Sequence, residues 1–461
     1  MRTPDSLLLR EDELGLVTDL YQLTMFAAYR EHRRGVRGSF ELWFRDLPPH
    51  RNFLLAAGLE PALAYLLGLR FPEEQVEALR ALEVFRGVDN GFFAELAGLR
   101  FEGDVWGVRE GTVVFAGEPV LRVEAPIGQA QLVETYLLAA ISFSTLVASK
   151  AARVRLAAGD NNVVDFGSRR AHGPQAACWA ARSSYLAGLD GTSNVWAGCR
   201  LGIPVSGTMA HSFVLSFSSE QEAFRAYSAT FPARSVLLVD TFDTLAAVER
   251  AARDADLRFV AVRLDSGNIV ELSRASRAIL DRAGRGDVRV VASGDLDEAR
   301  IAGIVAAGAP VNSFGVGTRM VTSVDAPALQ AVYKLVAVEE PGKPPRGVAK
   351  KSTGKRTAPG TKQVWRLRAG DGTFAEDLVT AAGDAPRQGP WEPLLEPWIR
   401  GGRLCQRLPA LAESREYARQ QIAALPEALR GLGATPPFPV TMAPSLRPRR
   451  RSDAEPVPPR R

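Results

Sequence analysis

The chain has 461 residues and 46% hydrophobic content, enough for two or three domains with full cores, which excludes a disulfide-stapled miniprotein and a mostly disordered chain. Lys and Arg number 57 against 52 Asp and Glu, a net +5, but residues 446–461 hold six Arg against Asp453 and Glu455 and so carry +4 by themselves. The remainder is close to neutral and indicates no nucleic-acid-binding face.

Cys178, Cys199 and Cys405 are odd in number and lack CxxC spacing, so neither a disulfide framework nor a zinc site is indicated, and a reducing cytoplasm fits. The first residues, MRTPDSLLLREDELGL, lack the apolar core and cleavage site of a secretory signal. The longest apolar stretch, 132–148, contains Glu134 with several Ser and Thr and is too short and polar to span a bilayer. Only seven of the 57 basic residues are lysine, and five of them (Lys343, Lys350, Lys351, Lys355, Lys362) fall within one twenty-residue stretch.

Along the chain, residues 14–29 have helical apolar spacing and 39–45 (SFELWFR) alternate like a strand. Residues 104–126 predict two or three short antiparallel strands and a first domain ending near 127, followed by an apolar helix to about 157. From 236 the pattern becomes βα pairs: strands at 236–239, 259–264 and 288–292, helices at 244–255, 269–283 and 296–307. Such units imply a parallel sheet, as a barrel or an open doubly wound sheet. Asp240, Asp265-Ser266-Gly267, Ser293-Gly294-Asp295 and Gly315-Val316-Gly317-Thr318 follow successive strands, the place where a parallel barrel builds its active face. Loops are polar in any case, which is the competing explanation. After about 341 the chain reads as loop and then a short mixed segment, and beyond 440 as a Pro- and Arg-rich disordered end.

TDLYQLTM (18–25), DFGSRRAHGPQAA (165–177) and GLDGTSNVWAGCRLGIPVSGTMAHSF (188–213), with RLDSGN, ASGDLDE, FGVGT and KSTGKRTAPGTKQVWR, resemble the nicotinate phosphoribosyltransferase family across roughly 14–435. The resemblance implies a type II phosphoribosyltransferase: an α/β fold with an irregular, TIM-like barrel beside a smaller α+β domain built from both chain ends. On this reading 1–127 begin the small domain and 128–338 form the barrel; 339–440 return to the small domain with a Lys-rich phosphate loop, and 441–461 are a disordered basic tail. It further implies a cytoplasmic homodimer with shared active sites, free of nucleic acid and membrane. The reaction implied is transfer of phosphoribosyl from phosphoribosyl pyrophosphate to nicotinate, giving nicotinate mononucleotide and pyrophosphate in NAD salvage. ATP hydrolysis is coupled to it, with Mg2+, as in a C–N bond-forming ligase.

By the same resemblance His211, in GTMAHSF, accepts the γ-phosphate of ATP, and Asp240 orients its ring; neutral imidazole is a competent phosphoryl acceptor. Tyr21 and Phe166 are ring contacts, with Arg263 as an opposite face and Thr208 nearby. Arg169 or Arg170 meets the ligand carboxylate, a charge-assisted bond of about 1.5–3 kcal/mol. Ser193 stands where nicotinamide-using relatives carry Asp, so it discriminates acid from amide; alternatively it caps a helix. Asp265, Ser266, Gly294, Asp295, Gly315, Gly317 and Thr318 resemble the ribose and 5′-phosphate contacts, while Lys334, Lys351, Lys355, Thr357 and Lys362 supply charge to pyrophosphate or ATP. A metal-ligand set is not evident. VLLVDTFDT (236–244) imitates the type I phosphoribosyltransferase motif but separates its acids and lacks the Gly-rich turn, and no GxxxxGK[ST] loop occurs. Competing functions are a nicotinamide- or quinolinate-using type II enzyme and a catalytically silent nucleotide-binding relative.

Overall fold

The computed structural model describes residues 9–350, 358–384, 386 and 389–446. Two apolar cores organise them. The first lies beneath a seven-stranded sheet whose order is Arg346–Gly347, Ala331–Glu339, Arg37–Phe44, Pro119–Pro126, Asp104–Val108, Leu395–Arg400 and Arg403–Leu404. Every pairing recorded within it is antiparallel. Strands from both ends of the chain therefore meet in one sheet, and Trp398, 2% exposed, locks them by donating from Nε1 to the Gly107 carbonyl at 2.9 Å. A four-stranded sheet, Trp391–Pro393, Lys362–Arg368, Phe374–Ala381 and Val440–Met442, stands beside it.

The second core lies against six parallel strands ordered Gly191–Thr192, Asn162–Asp165, Ser313–Val316, Arg289–Ala292, Ala261–Leu264 and Val236–Leu238. The predicted βα pairs are present, with helices Thr244–Arg253, Ile269–Arg282 and Glu298–Ala306. Recorded pairing runs from one edge strand to the other, so the described strands form a parallel ladder in a mixed α/β molecule, in which closure of the expected irregular barrel is not shown.

The helix Glu134–Ala158 joins the halves. It is long and apolar enough to cross a membrane, but 78% of its most apolar window is covered by protein. Tyr136, Leu137, Ala140 and Ile141 lie in the first core, and Val147, Ala148, Ala151 and Ala152 in the second.

The C-terminal third departs from the reading as loop and mixed segment. Residues 362–381 form a hairpin, and the helix Leu411–Ala423 sends Ala418 and Ile422 into the core under the parallel strands. Expected disorder from 441 fails for 441–446, because Val440–Met442 pairs with 377–379 and Leu446 is buried. Residues 447–461 lie outside the described residues.

Candidate active site

The parallel strands all present their carboxyl ends to one face, and the polar residues there divide into two sets. Asp243, Asn268 and Asp297 cap the following helices, accepting from Ala246 N at 3.0 Å, Glu271 N at 3.4 Å and Arg300 N at 2.9 Å. Helix capping thus accounts for part of the loop polarity. Asp240, Asp265, Ser266, Ser293 and Asp295 are not used that way.

Arg263, on the strand Ala261–Leu264, is the hub of the second set. Its Nε donates to Ser293 Oγ at 2.7 Å, Nη1 to Thr208 Oγ1 at 2.8 Å and Nη2 to Asp265 Oδ1 at 2.5 Å. Three donors of five are thereby committed, leaving two for a ligand. The guanidinium carbon lies 5.5 Å from the centroid of the Phe166 ring. A planar ring sandwiched between them needs about 7 Å, two contacts of about 3.5 Å each, so Arg263 must shift to serve as an opposite face. Burial opposes ionisation of Asp265, but its Ser293 hydrogen bond and the Arg263 charge outweigh that and hold the carboxyl below the usual range. His211 also contributes to this depression and so lies within electrostatic reach.

Two glycines make the geometry feasible. A Cβ at Gly294, where φ is +90°, would lie 1.9 Å from the Asp265 carbonyl oxygen. One at Gly315 would meet the Phe166 ring at 2.4 Å. Asp295, the next residue after Gly294, holds φ +49° without being glycine, a local strain of the kind that collects at working sites. Gly317 ends the strand Ser313–Val316, and Thr318 opens a helical turn to Val321. Residues 265–270, 293–296, Arg300, Gly303 and Ile304 line a cavity of about 480 Å3. Clefts of about 500 Å3 around Trp179 and about 620 Å3 around Arg155 and Arg415 lie elsewhere and include none of these strand-end residues.

His211 begins the short helix His211–Leu215. Its Nδ1 is 3.1 Å from Thr241 Oγ1. Asp240, expected to orient the ring, makes no hydrogen bond to it: Oδ2 accepts from Asp265 N at 3.1 Å and Ser266 Oγ at 2.6 Å, and Oδ1 is buried with no hydrogen-bond partner. Thr241 was missed as a site residue, although it adjoins Asp240 in the segment read as a type I imitation.

Asp165, also missed, ties the other two loops together. It is fully buried; Oδ1 accepts from Gly167 N and Oδ2 from Thr192 Oγ1, each at 2.8 Å, and its carbonyl accepts from Ser193 N at 2.8 Å. Burial raises its carboxyl and these bonds pull it partly back. They hold Phe166 and Ser193 on adjoining strand ends. Asn194, not Ser193, caps the helix Val195–Leu201, accepting from Ala197 N at 2.9 Å. The capping alternative for Ser193 is therefore removed. Arg169 and Arg170 are exposed on the turn Ser168–Arg170 with no ion-pair partner among the described residues.

Other expected residues lie apart from this cluster. Half-exposed Tyr21 donates to Glu134 Oε2 at 3.2 Å, and burial together with the Glu134 charge pushes its hydroxyl up to about 12. Lys334 Nζ is 3.9 Å from Glu134 Oε1. Lys362 is not the mobile charge expected: it is 5% exposed, with Nζ 2.8 Å from both Glu41 Oε2 and the Gly360 carbonyl. Lys351, Lys355 and Thr357 lie outside the described residues. Among those described, no group of three or more His, Cys, Asp or Glu side chains could hold a metal ion.

Family models described as the nicotinate phosphoribosyltransferase N-terminal domain, family and C-terminal domain match residues 16–142, 161–369 and 388–448. The chain belongs to the nicotinate phosphoribosyltransferase family. It is 48% identical over 435 residues to nicotinate phosphoribosyltransferase pncB2 of Mycobacterium tuberculosis, covering 93% of this chain and 91% of that one. Identity to the Bacillus subtilis nicotinate phosphoribosyltransferase is 37%, with 94% of each chain covered. Human nicotinic acid phosphoribosyltransferase superposes with a TM-score of 0.80 at 31% identity, over 93% of this chain and 98% of that one. The nicotinate-nucleotide pyrophosphorylase of Pyrococcus furiosus follows at 0.75 and 26%, over 92% and 99%. Family membership thus extends to the C-terminal segment that the sequence pattern left undefined.

Proposed function

We propose that this protein is a nicotinate phosphoribosyltransferase of NAD salvage, joining nicotinate to phosphoribosyl pyrophosphate with coupled ATP hydrolysis through a phosphohistidine at His211. What carries the reading is the cluster in which Phe166, Arg263 and Asp265 meet Ser293 and Gly294 at the ends of parallel strands, within electrostatic reach of His211.

In the coupling step the His211 nitrogen not facing Thr241 attacks the γ-phosphorus; a P–N bond forms, the β–γ P–O bond breaks and ADP leaves. In the transfer step the nicotinate nitrogen attacks ribose C1 as the C–O bond to pyrophosphate breaks, through an oxocarbenium-like transition state. Water then cleaves the P–N bond and phosphate departs. Phe166 gives the pyridine ring a face, and Arg169 or Arg170 meets its carboxylate. Ser193 offers a hydroxyl where a carboxylate would repel the acid. Asp265 and Asp295 take ribose hydroxyls; Gly294, Gly315, Gly317 and Thr318 surround the 5′-phosphate. The ordered polar network at the strand ends suits a site that stabilises charge without reorganising.

Mg2+ takes one or two carboxylates and completes its shell with water and substrate phosphates, so it needs no protein cage. Asp240, with its unpartnered Oδ1, fits that requirement. When bound, the ion would neutralise charge on the departing pyrophosphate. A second copy of the chain would bring Tyr21 and Lys334, which contact Glu134 within one subunit, to the strand ends.

The test is to incubate the protein with nicotinate, phosphoribosyl pyrophosphate and Mg2+, with and without ATP, and to measure nicotinate mononucleotide and ADP. Mononucleotide formation stimulated by ATP is expected. Product from nicotinamide or quinolinate in preference to nicotinate would overturn the substrate assignment.

A further inference from the structure

Lys150 is one of two lysines outside the 343–362 cluster, and it is buried, 2% exposed, on the helix Glu134–Ala158. Its Nζ lies 2.6 Å from Glu298 Oε2 and 2.7 Å from Asp325 Oδ1. Those carboxylates lie just beyond two separate strand-end loops. Glu298 opens the helix that follows Gly294 and Asp295. Asp325 lies a few residues beyond Gly317 and the turn Thr318–Val321. The loops also touch directly, Arg319 Nη1 donating to Asp297 Oδ2 at 3.1 Å.

Further cations brace the pair from outside the loops. Arg153 Nε donates to Glu298 Oε1 at 3.0 Å. Arg51, from the segment that precedes Leu54–Leu55, donates to Asp325 Oδ2 at 3.2 Å, to Ser323 Oγ and to the Leu146 carbonyl. Ser323 holds a left-handed φ of +44° and donates to the Ala326 carbonyl at 3.0 Å, so this bend is fastened at both ends. Burial disfavours charge on Arg51 and on Asp325, yet the Lys150 and Arg51 interactions keep the Asp325 carboxyl below its ordinary range. Lys150, Arg51 and Arg153 against Glu298 and Asp325 leave one positive charge in excess. Removing one partner of such a cluster strands a buried charge, whereas a charge held in place costs nothing at the moment a ligand binds.

We propose that Lys150 is a positioning residue that fixes the 294–297 and 317–325 loops relative to each other and so presets the phosphate-binding part of the site. This rests on the assignment of those loops to the sugar phosphate. Lys150 touches no substrate and acts through Glu298 and Asp325.

The test compares wild type with Lys150→Met, and with Lys150→Met combined with Asp325→Asn, which removes the stranded carboxylate if the single variant folds poorly. The expected result is a rise in KM for phosphoribosyl pyrophosphate of about tenfold or more, with KM for nicotinate changed by less than about twofold. Inorganic phosphate, titrated calorimetrically, should bind wild type and lose affinity in parallel. Equal changes in both KM values, or a lowered Tm with KM and phosphate affinity unmoved, would overturn the proposal and leave Lys150 a structural residue. Failure of the catalytic reading is recognised separately: wild type would then make no mononucleotide, and phosphate titration alone would decide the coupling.

Discussion

Thr241 Oγ1 faces His211 Nδ1 at 3.1 Å, in the place where a carboxylate was expected. When Nδ1–H donates to the hydroxyl, Nε2 keeps its lone pair and would be the nucleophilic atom of the proposed phosphoryl transfer. Thr241→Val should slow phosphoenzyme formation by about tenfold, the worth of one such hydrogen bond, and Thr241→Ser should restore most of it. Rapid-quench labelling with γ-labelled ATP reads this directly; equal labelling in the valine variant would separate Thr241 from the imidazole. His211→Ala should abolish ATP hydrolysis and leave slow, uncoupled transfer.

Ser193 is freed from capping by Asn194 and is held beside Phe166 through Asp165. On the proposed nicotinate site, Ser193→Asp would place a carboxylate against the acid of nicotinate. The KM for nicotinate should rise by one to two orders of magnitude, about 1.5–3 kcal/mol, while nicotinamide gains relative to it. Steady-state competition between the two pyridines measures the shift, and an unchanged ratio would remove the discriminating role.

Gly294→Ala drives a Cβ to 1.9 Å from the Asp265 carbonyl at a φ of +90°. A loss of roughly 1–3 kcal/mol of stability is expected, together with a fall in transfer, since the displaced backbone carries the Asp265 carboxylate. Gly98→Ala is the control: its Cβ would meet nothing within 4 Å at the exposed end of the helix Asn90–Gly98, away from the strand-end cavity, and it should gain up to about 0.5–1 kcal/mol. Parallel denaturant titrations and activity assays would show whether the two glycines differ as stated.

Glu118 is buried beside Asp377, which is already bound bidentately by Arg366 at 2.9 and 2.5 Å. Burial and the Asp377 charge push the Glu118 carboxyl well above its usual range, so the folded protein holds a proton there that the unfolded chain releases. With the folded value raised, this group's contribution is fully present below the unfolded value of about 4.3 and is lost as pH rises through the folded one. Glu118→Gln keeps a donor toward Asp377 without that penalty. The variant should therefore gain stability relative to wild type as pH is raised from 5 to 8. Chemical denaturation at several pH values gives the slope; a difference independent of pH would contradict the raised Glu118 carboxyl.

The sequence was most informative where structure is local. The βα pairs of 236–306 are visible because each helix and strand carries its own period, and the acids at the strand ends follow from position alone. Leu395–Arg400 was hidden because it is short, carries Pro397 and pairs with a partner far away, Asp104–Val108. Such pairing leaves no local signature. Thr241 escaped for a similar reason, since its role depends on where an imidazole thirty residues earlier comes to rest. Lys362 was misread by composition: it sits at the end of the lysine-rich stretch, but the strand it opens turns it onto Glu41. Whether the sheet closed on itself could not be told from periods, which count strands and not their pairings.

The helix Glu134–Ala158 has one end in each apolar core. Cutting the chain near its midpoint would expose oily surface on both sides, so neither half is an autonomous folding unit. Heating should melt the molecule in a single cooperative transition, and an isolated fragment spanning the parallel strands, expressed without the preceding residues, should be recovered as aggregate.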